Sequence, residues 1–331
     1  MPTAAPLPED PPPDVSRCDA VPEYESTPRQ FADALARTLW AAPPDERLEE
    51  AIDSAELAVE LIREVDRLLS DPQAADRLGQ FGLWWLADPE GFPRPIEKPA
   101  DTLPEFDVAL AADVREETLR FMNSLASDPG ATFQTLLGAP YTYANDRVAE
   151  LYGVTVEGSD FERIELAPEM RAGLFTQTHF LTMTGVGRTD PASRGFTLLQ
   201  RLQCVGLPPH GANVDSILGD AELEPGQTTR ELYEAALEGP DCWGCHRFGT
   251  AVGFMFEHYD ALGRYRDQEN GTNIDSTSDL TLVRSGAELT FNDAPSMLRH
   301  VAQEPEIYEC FARHWLTFLL DRAVGDSSGQ W

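Results

Sequence analysis

The residues with the clearest chemistry are Cys242-Trp243-Gly244-Cys245-His246: two thiols three positions apart, then an imidazole. This is C-x-x-C-H, the attachment sequence for haem c. Two thiols at that spacing can add across the two vinyl groups of a haem. The histidine after the second then lies under the iron as proximal ligand. The motif therefore calls for one covalent haem c, bound by Cys242 and Cys245 and ligated by His246. Zinc is the rival metal. Cys310 and His314 stand at C-x-x-x-H spacing on a predicted helix, and with Cys242 and Cys245 they would complete a Cys3His zinc site. A thioredoxin-like redox role needs a strand before the motif and a helix after it in a βαβ setting, which this segment lacks.

Composition narrows the partners. The chain has 331 residues with 57 Asp+Glu against 25 Lys+Arg, a net charge of -32. Such an excess excludes a general nucleic-acid binder and disfavours docking on anionic lipid. It suits a basic protein partner, for a haem protein a redox partner, steered in at low salt. Lys98 is the only lysine, and the other basic residues are arginine. A GC-rich genome and a salt-adapted surface both give that bias. No run of 18 apolar residues exists, so no transmembrane helix is predicted. The start, Met1-Pro2-Thr3-Ala4-Ala5-Pro6, has neither a basic n-region nor an apolar h-region. The attachment motif demands export, so a periplasmic or extracellular location is expected, with the export signal outside this chain.

The elements that must position the motif are mostly helical, and no internal repeat stands out. Residues 1–26 read as a Pro- and acid-rich disordered tail. Residues 27–155 read as a multi-helix domain. Thr27-Pro28 starts one helix and Asp45 a second, and Leu57, Leu61, Val65 and Leu68 mark a third. A long amphipathic helix over 105–126 is predicted to turn Val108, Ala112, Leu119 and Met122 inward, and Tyr143 to Tyr152 reads as a short helix closed by Gly153. Residues 156–266 read as the haem-binding domain, with a strand at Glu162 to Leu166, an ambiguous stretch at Leu174 to Thr184, and helices at Ser193 to Cys204 and Thr229 to Leu237. A loop is predicted to carry Cys242, Cys245 and His246. Residues 267–331 read as a C-terminal segment: a polar loop, a hairpin over Leu280 to Phe291, then helices at Ala294 to Ala302 and Pro305 to Arg322. The fold class is mainly α: a multi-helix N-terminal domain and a helical cytochrome c-like domain with a small β-hairpin.

Seven words in order carry a resemblance. They are Leu39-Trp40 with Pro44-Asp45 and Leu48; Tyr141 to Ala149 with Leu151-Tyr152-Gly153; Arg171 to Gln177; Arg188 to Pro191 with Arg194-Gly195; Pro208-Pro209 with Asn213-Val214; Cys242 to His246 with Gly253-Phe254, Glu257, Tyr259-Asp260 and Gly263 to Arg266; and Ile274-Asp275 with Cys310 to Arg313. Over about residues 28–322 the chain resembles the planctomycetal cytochrome C-like (PSCyt-type) proteins and their PSD-type companion domains, also found in myxobacteria and largely of unknown function. The resemblance implies haem c at Cys242, Cys245 and His246. It also implies a disulfide between Cys204 and Cys310, each in a family-like word, against the alternative of two free buried thiols. Cys18 is left over.

Two departures stand out. Gly249, Thr250, Ala251, Val252 and Gly253 occupy the places of the family's Met-Asp-Pro-Leu-Gly run, and Ala236 stands where a histidine is usual. The distal iron ligand therefore does not carry over. Among Met183, Met255, Met297, His179, His258 and His300, the methionines read individually as core and His258 as surface. Met183 and His179 rank first as distal candidates because they lie beside a matched word. Arg188, Asp190, Arg194 and Arg201 read either as partners for haem propionates or as a surface ion-pair set. The functions in play are electron transfer or an electron-accepting module, a haem enzyme with an open distal site acting on peroxide, and a zinc-stabilised scaffold.

Overall fold

The computed structural model describes residues 27–52, 57–86, 96, 98–185, 187–206, 223–237 and 240–320. The tail predicted over 1–26 and the Pro208-Pro209 and Asn213-Val214 word lie outside the described residues. Among the described residues the chain is mainly helical, with small antiparallel strand pairs. It divides into two compact units: residues to Arg37 with Ala41–Arg67, and Thr38–Trp40 with residues from Leu68 onward.

The first unit is built from α1 (Pro28–Trp40), α2 (Glu46–Ile52) and α3 (Leu57–Ser70), whose last residues belong with the second unit. Thr27 caps α1 in a capping box with Gln30, and Pro28 supplies the pre-set first turn. Ala32, Ala36, Leu48 and Ala51 are buried. Arg67 joins α3 to the start of α2 through Asp45 at 2.9 Å.

The second unit holds α4 (Pro72–Leu86), α5 (Val108–Ser127), α6 (Phe133–Gly138), β1 (Tyr141–Ala144), α7 (Asp146–Leu151), β2 (Glu162–Glu165), a 3-10 turn (Leu174–Thr176), α8 (Thr178–Met183) and α9 (Pro191–Gln203). It continues through α10 (Thr229–Ala236), α11 (Pro240–Phe254), strands β3 (Gln268–Glu269), β4 (Thr272–Asn273), β5 (Ser278–Thr281) and β6 (Glu288–Phe291), and closes with α12 (Ala294–Val301) and α13 (Pro305–Leu320). The main core gathers Phe81, Trp85, Phe121, Phe175, Phe180 and Phe256 from α4, α5, the 3-10 turn, α8 and the turn after α11.

Three expectations need correction. The motif is not on a loop: Cys242, Cys245 and His246 lie on the first turns of α11. Gly249 and Gly253 of that helix serve close packing on α9. The buried face of α5 is Leu110, Val114, Glu117, Thr118, Phe121 and Met122, while Val108 is 88% exposed. A buried carboxylate and hydroxyl broke the apolar periodicity on which the sequence reading relied. Tyr141–Ala144 is a strand paired with Glu162–Glu165, so the helix expected from Tyr143 begins only at Asp146, capped by Asn145.

Candidate haem-binding site

Helical backbone over 240–254 places positions 242, 245 and 246 at i, i+3 and i+4, on one face. The side chains of Cys242 and Cys245 lie outside the described residues. His246 is described. Its stripe continues through Gly249, Thr250 and Gly253, and that stripe packs on α9. A Cβ on Gly195 would lie 1.7 Å from the Gly249 carbonyl oxygen, and one on Gly253 would lie 1.7 Å from that of Pro191. Gly253 thus meets the start of α9 and Gly249 its middle, so the helices run antiparallel with backbones in contact. The His246 ring stands edge-on to Phe196, centroids 5.7 Å apart.

A small cluster braces this pair. Ala192, Tyr233, Leu237 and Phe254 are buried together, with Phe196, Leu232 and Ala236 packed against them. The Tyr233 hydroxyl donates to Asp190 at 3.1 Å, and Asp190 also caps α9 by accepting from the Ser193 amide at 2.9 Å. Ala236, where the family places a histidine, is part of this apolar packing.

Two polar atoms on the motif stripe are buried without a hydrogen-bond partner among the described residues: His246 Nδ1 and Thr250 Oγ1. Burial pushes the His246 pKa down, against the opposing pull of Asp190, so the imidazole is biased to its neutral, metal-ligating form. A buried imidazole nitrogen left unpaired costs about 1–3 kcal/mol unless something engages the ring. The neutral imidazole is the form in which a histidine ligates a metal. Phe196 was not singled out from the sequence, and Thr250 was noted only as a departure from the family run. Thr250 was legible, at i+4 from His246, whereas Phe196 depended on the helix crossing.

The distal candidates lie in other company. His179 is buried on α8, its Nδ1 2.9 Å from Thr118 Oγ1, and burial lowers its pKa to about 3. Met183 ends α8, packed against the main core. No described contact joins either to His246. Met255 and Met297 are core residues, and His258 is half-buried, stacked on Tyr265 at 5.1 Å.

Arg194 is neither a surface ion pair nor free for a propionate. It is fully buried, and its guanidinium donates to the carbonyls of Phe256, Tyr259 and Asp260 at 2.8–3.0 Å. It pins the turn that follows α11. Glu257 in that turn is buried too, accepting from Thr189 at 2.9 Å, and desolvation raises its pKa to about 7.

Cys310 of α13 is disulfide-bonded to Cys204 at the end of α9, with Cα atoms 5.5 Å apart. The pairing implied by the resemblance is therefore present. The zinc set with Cys242 and Cys245 loses its third sulfur, because Cys310 is already bonded. His314 sits beside the disulfide, its pKa lowered to about 4 mainly by burial. No helix among the described residues is long and apolar enough to cross a membrane.

The family matches divide the chain at a different place from the two compact units, between residues 154 and 171 and so inside the second unit. Residues 27–154 match the family model PSD4, a protein of unknown function (DUF1592). Residues 171–269 match PSCyt3, a protein of unknown function (DUF1588). No curated protein and no solved structure matches the chain. With a PSD4 domain followed by a PSCyt3 domain, the chain has the architecture of the planctomycetal cytochrome-like PSCyt/PSD families.

Proposed function

We propose that the chain is a mono-haem c-type cytochrome-like protein of an exported compartment, carrying electrons or accepting them for a larger oxidoreductase. The single observation that carries this reading is His246: the last residue of a C-x-x-C-H motif, on one helix face with positions 242 and 245, and biased by burial to the neutral form that ligates a metal. Cys242 and Cys245 would hold the haem, which when bound supplies a one-electron couple at its iron. The residues around it keep the site rigid. Phe196 restricts the His246 ring, and the glycine contact fixes the helix that carries it. Arg194 holds the turn beyond the helix, so little backbone rearrangement would accompany electron transfer.

Export is supported by the Cys204–Cys310 disulfide, since such bonds persist in oxidising compartments. The charge of -32 favours a basic redox partner. Met183 and His179 remain the proposed sources of a sixth ligand. The test is a pyridine haemochrome spectrum of protein made with haem c maturation. A haem c spectrum is expected, and its absence would overturn the reading. Carbon monoxide then separates electron transfer from peroxide chemistry, because it binds readily only where the distal position is open or weakly held.

A further inference from the structure

The disulfide has a third member. Cys204 is the C-cap of α9, in the left-handed region at φ 52°, where a non-glycine residue is strained. Cys310 and His314 are at i and i+4 on α13, so both face it. Cys204 Sγ lies 3.7 Å from His314 Nε2, and the two sulfurs and this nitrogen all fall within 4.8 Å of one another. The last carbonyls of α9 converge on the same point. Gln200 O accepts from His314 Nε2 at 3.0 Å, and Arg201 O lies 3.5 Å from Cys310 Sγ. This is the negative end of a helix dipole, with oxygen acceptors turned inward, which favours a cation. Trp84 packs edge-on against the His314 ring and fixes it.

We propose that the Cys204–Cys310 disulfide masks a metal site: once it is reduced, Cys204, Cys310 and His314 bind a thiophilic divalent cation of the zinc class. The steps balance. A dithiol reductant gives two electrons and two protons to the disulfide, yielding two thiols and the reductant's own disulfide. The cation then displaces both thiol protons, and the imidazole moves its proton to Nδ1 so that Nε2 can ligate. Two thiolates and one imidazole make an N/S donor set that zinc prefers. The site shares no residue with the proposed haem attachment and does not rest on that reading.

The test uses the full chain carrying Cys18→Ala, Cys242→Ala and Cys245→Ala, which leaves Cys204 and Cys310 as its only cysteines. After anaerobic reduction, titration with zinc alone should load one equivalent per chain, and cobalt should give a thiolate charge-transfer band. The oxidised chain should load none. Adding His314→Ala should weaken zinc binding about a hundredfold or more, since loss of even an outer partner costs 10–100-fold. No uptake on reduction, or uptake unchanged without His314, would overturn the proposal. If the triple variant loses its far-UV helical signal, the unmodified chain and its Cys204→Ser variant are compared after reduction. One equivalent fewer in the variant supports the site, and equal loading overturns it.

Discussion

The α9–α11 pair and the α5–α8 region are secured by opposite means. In the first, backbone meets backbone: Gly195, Gly249 and Gly253 leave no room for a side chain between the helices. In the second, side chains fill the interior with polar groups. Glu117 of α5 is fully buried and accepts from Thr142 at 2.7 Å, from Thr178 at 2.5 Å and from the Tyr152 hydroxyl. Arg171 lies over the Tyr152 ring at 4.5 Å. Burial drives the Glu117 pKa up, opposed by these three hydroxyl donors. The first region resists addition of atoms and the second resists their removal.

The largest effect should come from addition at the glycine contact. Gly195→Ala puts a Cβ 1.7 Å from a backbone oxygen that has no rotamer to change, and should cost about 3 kcal/mol or more in urea unfolding. Gly249→Ala provides the contrast. Its Cβ would meet the Phe196 ring at 2.6 Å, a packed side chain that gives more readily than a backbone carbonyl, so a smaller loss of about 2 kcal/mol is expected. Equal losses would show that the helices are not in backbone contact.

Removal at the polar core should come next. Glu117→Ala strands three hydroxyl donors and should cost about 2–4 kcal/mol by the same measurement. Tyr152→Phe removes one donor and keeps the ring under Arg171, so about 1 kcal/mol is expected.

The remaining effect is pH-dependent and lies beyond α11. The buried Glu257 carboxyl is raised from 4.5 to about 7. A raised folded pKa means the native state holds its proton while the unfolded chain has lost it. This contribution to stability is full below about pH 4.5 and falls as pH rises towards 7. Glu257→Gln should therefore gain stability over the unmodified chain by on the order of 2 kcal/mol between those limits. A pH-independent difference between the two would contradict the assignment.

The sequence disclosed the motif, the helical class and several helix starts, because caps and prolines are local: Thr27-Pro28 and Asp45 each act within a turn. It did not disclose the motif's own helix, since glycines that permit a crossing look like glycines that break one. The inward face of α5 was misphased because Glu117 and Thr118 point into the core, and only their partners on β1, α7 and α8 explain it. Several words that carried the resemblance prove to be architectural. Arg171 donates to the carbonyls of Thr176 and Gly263 at 2.7 Å, and Arg194 holds the turn after α11. Such residues mark the fold, whereas the proposed chemistry rests on Cys242, Cys245 and His246.

The most direct test of the central claim is the mass of the denatured protein after expression in cells that mature a control c-type cytochrome. A gain of one haem that survives denaturation and disappears in Cys242→Ala plus Cys245→Ala is expected. An unmodified mass, with the control cytochrome fully matured, would contradict it.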